Sequence, residues 1–386
     1  MENVRIGIIG IGNMGSVHSG NIMDGKVPSM TLTAVADINP ARLDWARGKF
    51  PGLSTFASGE ELMDSGLVDA VLIATPHYFH PPLAAAAFSR GLHVMCEKPA
   101  GVYTAQVKEM NAAAKASGKK FGMMFNNRTN PLFGKMRAIV QSGELGALRR
   151  SNWIITDWYR PQCYYNSGGW RATWAGEGGG VLLNQCPHNL DLWQWITGMP
   201  VRVRAFTHEG KWHDIEVEDD VTAYVEYEGG ATGLFVTSTA DAPGTNRFEL
   251  QFDGGQLVNQ GGRLTMTKLE MYESEFTKTT TGAFSSPARE TFDVDCTGYG
   301  DNGHHNTVLE KFAQWIQGVG EPIAEGYEGI FGLTLSNAMH LSSWLDKTVE
   351  LPLDDALFYA ELQKKIAAST GKKAVADVVS NTAGSY

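Results

Sequence analysis

The chain has 386 residues, of which 43% are hydrophobic and 19% are charged, and its net charge is −10. This length exceeds what one core usually holds, so we expect two domains that share an interface. The acidic balance and the absence of a basic run exclude a phosphate-backbone footprint, and we therefore expect no nucleic-acid partner.

The first residues of the chain, its apolar runs and its cysteines indicate in which cellular compartment the protein is expected. Residues 1–10 run directly into an apolar strand pattern, without the charged flank and long apolar region of a signal peptide. The longest apolar runs fall short of the roughly 20 residues that a membrane span needs. The four cysteines are scattered without paired spacing, which suits reduced thiols. We expect a cytoplasmic protein with no membrane partner.

The first third of the chain alternates between strand-like and helix-like segments. Continuous apolar strands separated by helices predict a parallel sheet that is covered on both faces. The predicted strands are residues 4–10, 32–37, 69–75, 92–97 and 120–125, and the predicted helices between them include 39–50, 80–91 and 104–118. Residues 1–126 are therefore predicted to form a doubly wound Rossmann domain.

The pattern changes between Phe125 and Asn130. A helix is predicted at 130–142, then a strand at 148–157, a glycine-rich passage, and several strands with Gly-Gly hairpin turns at 201–208, 221–238 and 247–271. Helices are expected near 304–319 and 328–347, and the tail from Gly371 is expected to fray. Residues 127–386 are thus predicted to be an α+β domain with a large, mainly antiparallel open sheet.

A glycine motif begins the first predicted unit. Gly10, Gly12 and Gly15 have G-x-G-x-x-G spacing after a strand and before a helix, and Asp37 ends the second predicted strand. This context predicts a dinucleotide turn, with the carboxylate binding the adenosine ribose and repelling the extra phosphate of NADP. NAD is the favoured cofactor, although Arg42 leaves NADP open.

Polar residues follow the next two predicted strands. "ATPHYFH" (74–80) and "CEKPAG" (96–101) place Thr75, His77, His80, Glu97 and Lys98 at strand ends. Ligands of open parallel sheets bind beyond the carboxyl ends of the strands, so we expect these side chains beside the nicotinamide. The histidines lack a third ligand at usable spacing, and no metal site is predicted.

Together these motifs resemble a known family. The glycine motif with its acid, ATP-x-x-x-H, EKP, and "GGGVLLNQCPH" (178–188) are similar to those of the Gfo/Idh/MocA family of NAD(P)-dependent sugar and polyol dehydrogenases, from Val4 to about Trp344. The resemblance implies that Lys98 and His188 face the substrate hydroxyl. It also implies a homo-oligomer, a dimer or tetramer, that forms through the face of the second sheet.

One position departs from the common family pattern. Where an aspartate usually stands four residues before the histidine, this chain has Asn184. We expect His188 to act as the acid/base, Lys98 to stabilise the developing alkoxide and to lower the pKa of His188, and Asn184 to orient the imidazole or a sugar hydroxyl. Pro187 predicts either that a helix begins near it or that a helix kinks there.

The predicted site residues form three overlapping groups. The catalytic candidates are Lys98, His188 and Asn184. The cofactor-binding candidates are Gly10, Gly12, Asn13, Met14, Gly15, Asp37, Thr75, Pro76, His77, His80, Glu97, Lys98, Asn126, Trp170 and Arg171. The substrate-binding candidates are Lys98, Arg128, Tyr159, Asn184, His188, Tyr299 and His304.

Three functions are compatible with these residues. The first is an NAD-dependent dehydrogenase acting on a secondary hydroxyl, at C3 for example, of a sugar, polyol or glycoside. The second is a glycoside hydrolase that retains NAD, oxidises C3 transiently and eliminates the aglycone, with Tyr159 or His304 as the additional base. The third is a non-catalytic NAD-binding sensor.

Overall fold

The computed structural model describes residues 2–370, and the tail from Gly371 lies outside the described residues. Within these residues the chain forms a parallel six-stranded sheet and a mainly antiparallel nine-stranded sheet. This confirms the predicted fold class.

The first sheet has the strand order β3-β2-β1-β4-β5-β6. Its strands are β1 (Val4–Ile9), β2 (Met30–Ala36), β3 (Ser54–Phe56), β4 (Ala70–Ile73), β5 (His93–Cys96) and β6 (Phe121–Met123). Helices α1 (Asn13–Met23), α2 (Pro40–Lys49), α3 (Gly59–Asp64), α4 (His80–Ser89) and α5 (Thr104–Ser117) connect them. All residues of β4 are buried, as expected for a strand covered on both faces. Strand order reverses between β1 and β4, so a cleft opens at the carboxyl ends of these strands.

The second sheet has the strand order β14-β13-β12-β11-β7-β10-β9-β8-β15. Its strands are β7 (Leu148–Ile155), β8 (Arg202–Glu209), β9 (Glu218–Glu226), β10 (Thr232–Ser238), β11 (Asn246–Phe252), β12 (Gly255–Gln260), β13 (Arg263–Leu269), β14 (Arg289–Asp293) and β15 (Val349–Glu350). The pair β7 and β10 is parallel, and the other neighbours are antiparallel.

Helices cover one face of the second sheet. The helices of this half are α6 (Pro131–Ser142), α7 (Gln162–Tyr165), α8 (Pro187–Thr197), α9 (Glu273–Thr279), α10 (His304–Ile316), α11 (Gly329–Trp344) and α12 (Asp355–Ala368). In the core, the Trp153 ring stacks on Phe248 with ring centroids 4.3 Å apart, and Trp193 stacks on Phe235. Burial alternates along β9, which indicates that its other face is open.

Helix α10 links the two halves of the chain. Its apolar residues Leu309 and Phe312 pack with Ile6 of β1 in one core cluster. On its polar side, Glu310 accepts hydrogen bonds from Ser29 N and Oγ at 3.0 and 2.6 Å. A helix of the second half therefore completes the cover of the first sheet.

Several elements were absent from the sequence prediction. Strand β3 has three residues, too few for a pattern to appear, and every residue of β14 is exposed. Helix α12 buries deeply only Phe358 and Leu362, one turn apart, so its apolar stripe is narrow. Each of these elements lacks the apolar periodicity on which such predictions depend.

Candidate functional site

The glycine turn after β1 has the geometry of a phosphate-binding loop. Gly10 has a φ of +86°, which favours glycine. A Cβ at Gly15 would lie 1.9 Å from the Gly10 carbonyl oxygen, whereas a Cβ at Gly12 would meet no atom within 4 Å. Gly10 and Gly15 thus serve the tight turn and the strand–helix packing, and Gly12 leaves open space at the start of α1, beside Asn13.

We expect Gly12→Ala to weaken NAD binding by about 10-fold or more, because the methyl group would enter the space through which a pyrophosphate approaches. The melting temperature should change little. Gly20→Ala is the matched control, since a Cβ there also meets no atom within 4 Å but lies farther along α1. Titration calorimetry with NAD checks this, and equal NAD affinities of the two variants would contradict it.

Asp37, which follows β2, lies against the glycine turn. Its carboxylate accepts hydrogen bonds from the Ile11 and Asn39 backbone amides, both at 2.8 Å. The guanidinium of Arg42 donates to the Ile11 carbonyl oxygen at 2.8 Å and to the Ser16 hydroxyl at 2.5 Å. Arg42 is therefore engaged with the glycine turn itself.

Two buried polar atoms point to a ligand at the ends of β4 and β6. The hydroxyl of Thr75 and the side-chain oxygen of Asn126 are buried without a hydrogen-bond partner. Pro76 follows Thr75 as the N-cap of a 3-10 turn (His77–Phe79). Buried polar atoms are normally satisfied, so both atoms are candidates to bind a cofactor at this rim.

The two predicted rim histidines bind the protein itself. His77 Nδ1 donates to the Glu177 carbonyl oxygen at 3.2 Å, and its ring meets the Trp170 ring edge to face. Both ring nitrogens of His80 lie 2.7 Å from carbonyl oxygens, those of Pro99 and Thr75. The ring nitrogens of His80 are thus not free for a cofactor, which corrects that expectation: His80 joins the ends of β4 and β5.

Glu97 belongs to a buried charged group that the sequence prediction did not identify. His18 Nε2 of α1 donates to Glu97 Oε1 at 2.6 Å, and the His305 ring packs edge to face on His18. Burial raises the pKa of Glu97, but the hydrogen bond and charge of His18 outweigh it and bring that pKa to about 2. Burial and His18 lower the pKa of His305 to about 4. The carboxylate of Glu97 is therefore ionised directly before Lys98.

Lys98 and His188 come from the two halves of the chain and lie close enough for the charge of Lys98 to act on the imidazole. Lys98 follows β5, its peptide bond to Pro99 is cis, and its Nζ donates to the Asn184 carbonyl oxygen at 3.0 Å. His188 is the second residue of α8, which begins at Pro187, so the first of the two predicted geometries is confirmed. Burial and then the charge of Lys98 lower the pKa of His188 well below its ordinary value. His188 Nδ1 is buried without a hydrogen-bond partner.

Asn184 does not hold the imidazole, which corrects that expectation. Its amide nitrogen donates to the Glu177 carboxylate, and its side-chain oxygen accepts from the Tyr164 hydroxyl at 3.3 Å. The reason is local: the passage before α8 is irregular and turns the Asn184 side chain toward the glycine-rich segment.

Aromatic and cationic side chains form a cluster near Lys98, whose pKa the charge of Arg171 lowers. The Arg171 guanidinium lies over the Trp170 and Tyr164 rings, 4.7 and 4.5 Å from their centroids. It also donates to the Tyr164 hydroxyl at 2.7 Å. Tyr78 Oη donates to the Trp174 carbonyl oxygen at 2.8 Å, so this segment is fixed against the first domain.

Four further predicted substrate or cofactor residues lie at the surface or at the start of a helix. Tyr159 is 48% exposed and Tyr299 is 41% exposed, and the Tyr299 hydroxyl accepts from Lys135 Nζ at 3.3 Å. His304 begins α10 with a φ of +49°, and its Nδ1 is buried without a partner. Met14 lies in α1 next to the glycine turn.

Arg128 is a structural residue, which corrects its assignment to the substrate. It is 5% exposed and donates two hydrogen bonds to Asp191, at 2.8 and 2.6 Å, and one to Glu328 at 2.7 Å. Its guanidinium also lies over the rings of Phe125 and Trp195. Because all three of its guanidinium nitrogens donate to these two carboxylates, the side chain is committed to the protein.

We expect Arg128→Met to lower the free energy of unfolding by about 3–5 kcal/mol, because it leaves Asp191 buried and unpaired. Arg263→Met is the control: its partner Asp293 is exposed, and such surface pairs contribute about 0–1 kcal/mol. Denaturant unfolding of both variants checks this. Similar midpoints for the two variants would mean that Arg128 does not hold α8 in place.

The sequence prediction did not identify two candidate functional residues, Glu177 and His18. Glu177 stands one residue before the three glycines, and His18 stands three residues after Gly15. Both are buried, at 1% and 0% exposure. A charged residue directly before a glycine run and a histidine on the first helix were the only available signals.

The fold defines a class of protein: a Rossmann-type domain with a parallel sheet, joined to a second domain with a large, mainly antiparallel sheet. Residues 4–125 match the family model described as "Oxidoreductase family, NAD-binding Rossmann fold", and residues 133–258 match the "GFO/IDH/MocA C-terminal domain". The chain therefore belongs to the Gfo/Idh/MocA family, and its first domain is an NAD-binding Rossmann domain.

Relatives and solved structures agree with this assignment. The chain is 30% identical to the rhizopine catabolism protein MocA of Rhizobium meliloti over 54% of this chain and 62% of that protein. It is 26% identical to the myo-inositol 2-dehydrogenase of Thermotoga maritima over 90% of this chain and 98% of that protein. The WlbA dehydrogenase of Chromobacterium violaceum, solved with NADH and UDP-GlcNAcA, superposes with a TM-score of 0.78 at 27% identity, covering 92% of this chain and 97% of that one.

The extent of these matches differs. The chain spans somewhat more than half the length of several curated relatives that it matches.

None of the helices in residues 2–370 combines the length and apolar character that crossing a membrane requires.

Proposed function

We propose that this protein is an NAD-dependent oxidoreductase that transfers a hydride between the nicotinamide and a secondary hydroxyl of a sugar, polyol or glycoside. The observation that carries the proposal is the proximity of Lys98 and His188: Lys98 Nζ donates to the Asn184 carbonyl oxygen, four residues before His188, and its charge lowers the pKa of His188. Two proton-handling groups from different domains at the carboxyl edge of a dinucleotide-binding sheet suit acid–base work beside a cofactor.

The residues of the cleft fit NAD. Gly12 leaves room at the helix start for the pyrophosphate, Asp37 would bind the adenosine ribose, and the unpartnered atoms of Thr75 and Asn126 would bind near the nicotinamide. NAD, when bound, accepts or returns the hydride. We favour NAD over NADP because Asp37 would repel a ribose phosphate and Arg42 is engaged with the glycine turn.

The chain's own groups would handle the proton. The pKa of His188 lies below its ordinary value, so its imidazole is neutral at neutral pH and can accept the hydroxyl proton. Burial lowers the pKa of Lys98, against the opposing charges of Glu97 and Glu177. The Lys98 ammonium would donate to the reacting oxygen and stabilise charge that develops there.

The substrate class follows from the aromatic and cationic cluster near Lys98 and from the relatives. Trp170 and Tyr164 could stack on the apolar face of a sugar ring, and Arg171 could bind its hydroxyl groups. One named relative is a myo-inositol 2-dehydrogenase, and one solved neighbour is a dehydrogenase in complex with UDP-GlcNAcA. We therefore propose a carbohydrate, polyol or glycoside, with C3 of a glycoside as a candidate reacting carbon.

The arrangement of the chain is part of this proposal. We propose that residues 1–126 bind the cofactor and that residues 127–386 bind the substrate and form a homo-oligomer, a dimer or tetramer, through the open sheet face. We further propose a cytoplasmic location and no nucleic-acid or membrane partner.

A panel of sugars, inositols and glycosides incubated with NAD tests the function. The expected result is NADH together with a stable ketone, followed by absorbance and by product mass. Release of an aglycone without net NADH would replace the dehydrogenase with the NAD-retaining hydrolase. Tight NAD binding without any product would replace it with the sensor.

A further inference from the structure

Glu177 is a buried carboxylate that binds three parts of the site. Its Oε2 accepts from the Ala172 backbone amide at 2.6 Å, and Ala172 has a left-handed φ of 60°. Its Oε1 accepts from the Asn184 amide and lies 3.7 Å from Arg171 Nη1. The side chain is only 2% exposed, so these contacts are made away from bulk water.

The hydrogen bonds that lead to Glu177 have a fixed direction. Arg171 and Gln185 donate to the Tyr164 hydroxyl at 2.7 and 3.1 Å. That hydroxyl therefore donates its own proton to the Asn184 side-chain oxygen, and the Asn184 nitrogen donates to Glu177. The series ends on Glu177, because all of its partners are donors: the Ala172 amide, the Asn184 amide and the Arg171 guanidinium. Burial raises the pKa of Glu177, and these three partners oppose that shift and favour the carboxylate form.

Lys98 depends on the same residue. Its Nζ donates to the main-chain oxygen of Asn184, so the position of Asn184 fixes the position of the ammonium. We propose that Glu177 is a positioning residue of the site, whose buried carboxylate holds Asn184 in one orientation and thereby holds the Lys98 ammonium toward the cleft. This rests on the proposed function and adds a residue to it.

An amide in place of the Glu177 carboxylate would reverse the series. The Ala172 N–H is fixed by the backbone, so the glutamine side chain of a Glu177→Gln variant would turn its oxygen toward Ala172 and its NH2 group toward Asn184. Two NH2 groups would then face each other, and the Asn184 amide would have to flip, which turns a donor toward the Tyr164 hydroxyl. The Glu177 carboxylate is thus required because it accepts hydrogen bonds from both Ala172 and Asn184, as well as for its charge.

The charges around Lys98 indicate what else Glu177 does. The groups that act on Lys98 are the carboxylates of Glu97 and Glu177 and the cations Arg171 and Arg160. The other titratable groups on which Lys98 itself acts are His77, His80, His188, His305 and the Cys186 thiol. Glu177 raises the pKa of Lys98. Removing its charge therefore leaves a larger share of Lys98 as the neutral amine.

A double-mutant cycle separates positioning from general stability. The variants are Glu177→Gln, Asn184→Asp and the double variant, with exposed Glu228→Gln as the control. In the double variant the introduced amide can donate to the introduced carboxylate, and Tyr164 can still donate to that carboxylate. The bond between positions 177 and 184 then runs the other way, but every donor again faces an acceptor and the net charge is restored. We expect each single variant to lower kcat by about 10-fold or more, with KM less affected, and the double variant to recover to within about 3-fold of the parent.

A measurement that needs no turnover accompanies the cycle. The rate at which an amine reagent labels Lys98 between pH 6 and 10 is followed by peptide mass mapping. Glu177→Gln should label faster at a given pH, and the double variant should return to the parent rate. This readout decides the role of Glu177 even if no substrate in the panel is oxidised.

Single variants that match the parent, an additive double variant, or unchanged labelling of Lys98 would each overturn the proposal. If Glu177→Gln does not fold, Asn184→Asp and the double variant decide instead. Recovery of the double variant over Asn184→Asp supports the proposal, and an equal loss overturns it.

Discussion

Replacing Lys98 by methionine is expected to lower kcat for hydride transfer by about 10³-fold, because it removes the donor that stabilises charge on the reacting oxygen. Methionine keeps the length and the apolar stem of the side chain. The NAD dissociation constant should change by less than about 3-fold, since the glycine turn and Asp37 are untouched. Steady-state kinetics with an oxidised member of the panel, together with NAD titration, measures both values.

Lys115→Met is the control for this variant, because Lys115 is exposed on α5 and lies outside the cleft. It should behave like the parent. A Lys98→Met variant with parental kcat would remove Lys98 from the reaction, and one with lost NAD affinity would assign it to cofactor binding.

Replacing His188 by glutamine is expected to lower kcat by about 10²–10⁴-fold, because glutamine cannot accept the hydroxyl proton. The parent should lose oxidation activity only below pH 6.5, because burial and Lys98 depress the pKa of His188 and the neutral imidazole persists to lower pH. The acid limb of the profile of kcat against pH should be absent in the variant.

The sign of the Lys98 effect can be checked on the same ring. In Lys98→Met the pKa of His188 should rise, because a positive charge that disfavours the imidazolium is gone, although burial keeps it below the ordinary value. NMR titration of the imidazole nitrogens measures this shift. For the His188→Gln variant the control is His208→Gln, since His208 lies on the open sheet with 51% of its side chain exposed. A parental pH profile in His188→Gln would assign the base to another residue.

The parts of the site that could be predicted are those set by local spacing. Gly10, Gly12 and Gly15 act within one turn, and Lys98 follows a strand whose end the apolar pattern marks. The start of α8 at Pro187 was one of two predicted geometries, because proline is favoured in the first turn of a helix.

The parts that could not be predicted depend on contacts between distant or irregular segments. Arg128 donates to Asp191, which is 63 residues away in the sequence. The residues that flank each of them contain no pattern that would predict the pair. Glu177 and Asn184 are separated by seven residues, but the passage between them is without regular structure, so no periodicity relates their side chains. His80 looked like a cofactor ligand because the sequence does not reveal that two carbonyl oxygens face its ring.

Asn184 changes the interpretation of the site most. The sequence suggested a histidine working without a carboxylate at position 184, and the structure adds the buried Glu177 carboxylate on the far side of that amide. We infer that this carboxylate acts on Lys98 rather than on His188. It holds Asn184, whose carbonyl oxygen binds Lys98 Nζ, and the charge of Glu177 raises the pKa of Lys98.

The most direct measurement follows deuterium from the reacting carbon of a labelled sugar or polyol into the cofactor in a single turnover. The parent should place the deuterium on the reduced nicotinamide. Lys98→Met should do so about 10³-fold more slowly, and His188→Gln about 10²–10⁴-fold more slowly. Parent enzyme that binds NAD but never carries deuterium into it, or variants that transfer it at the parental rate, would contradict the account.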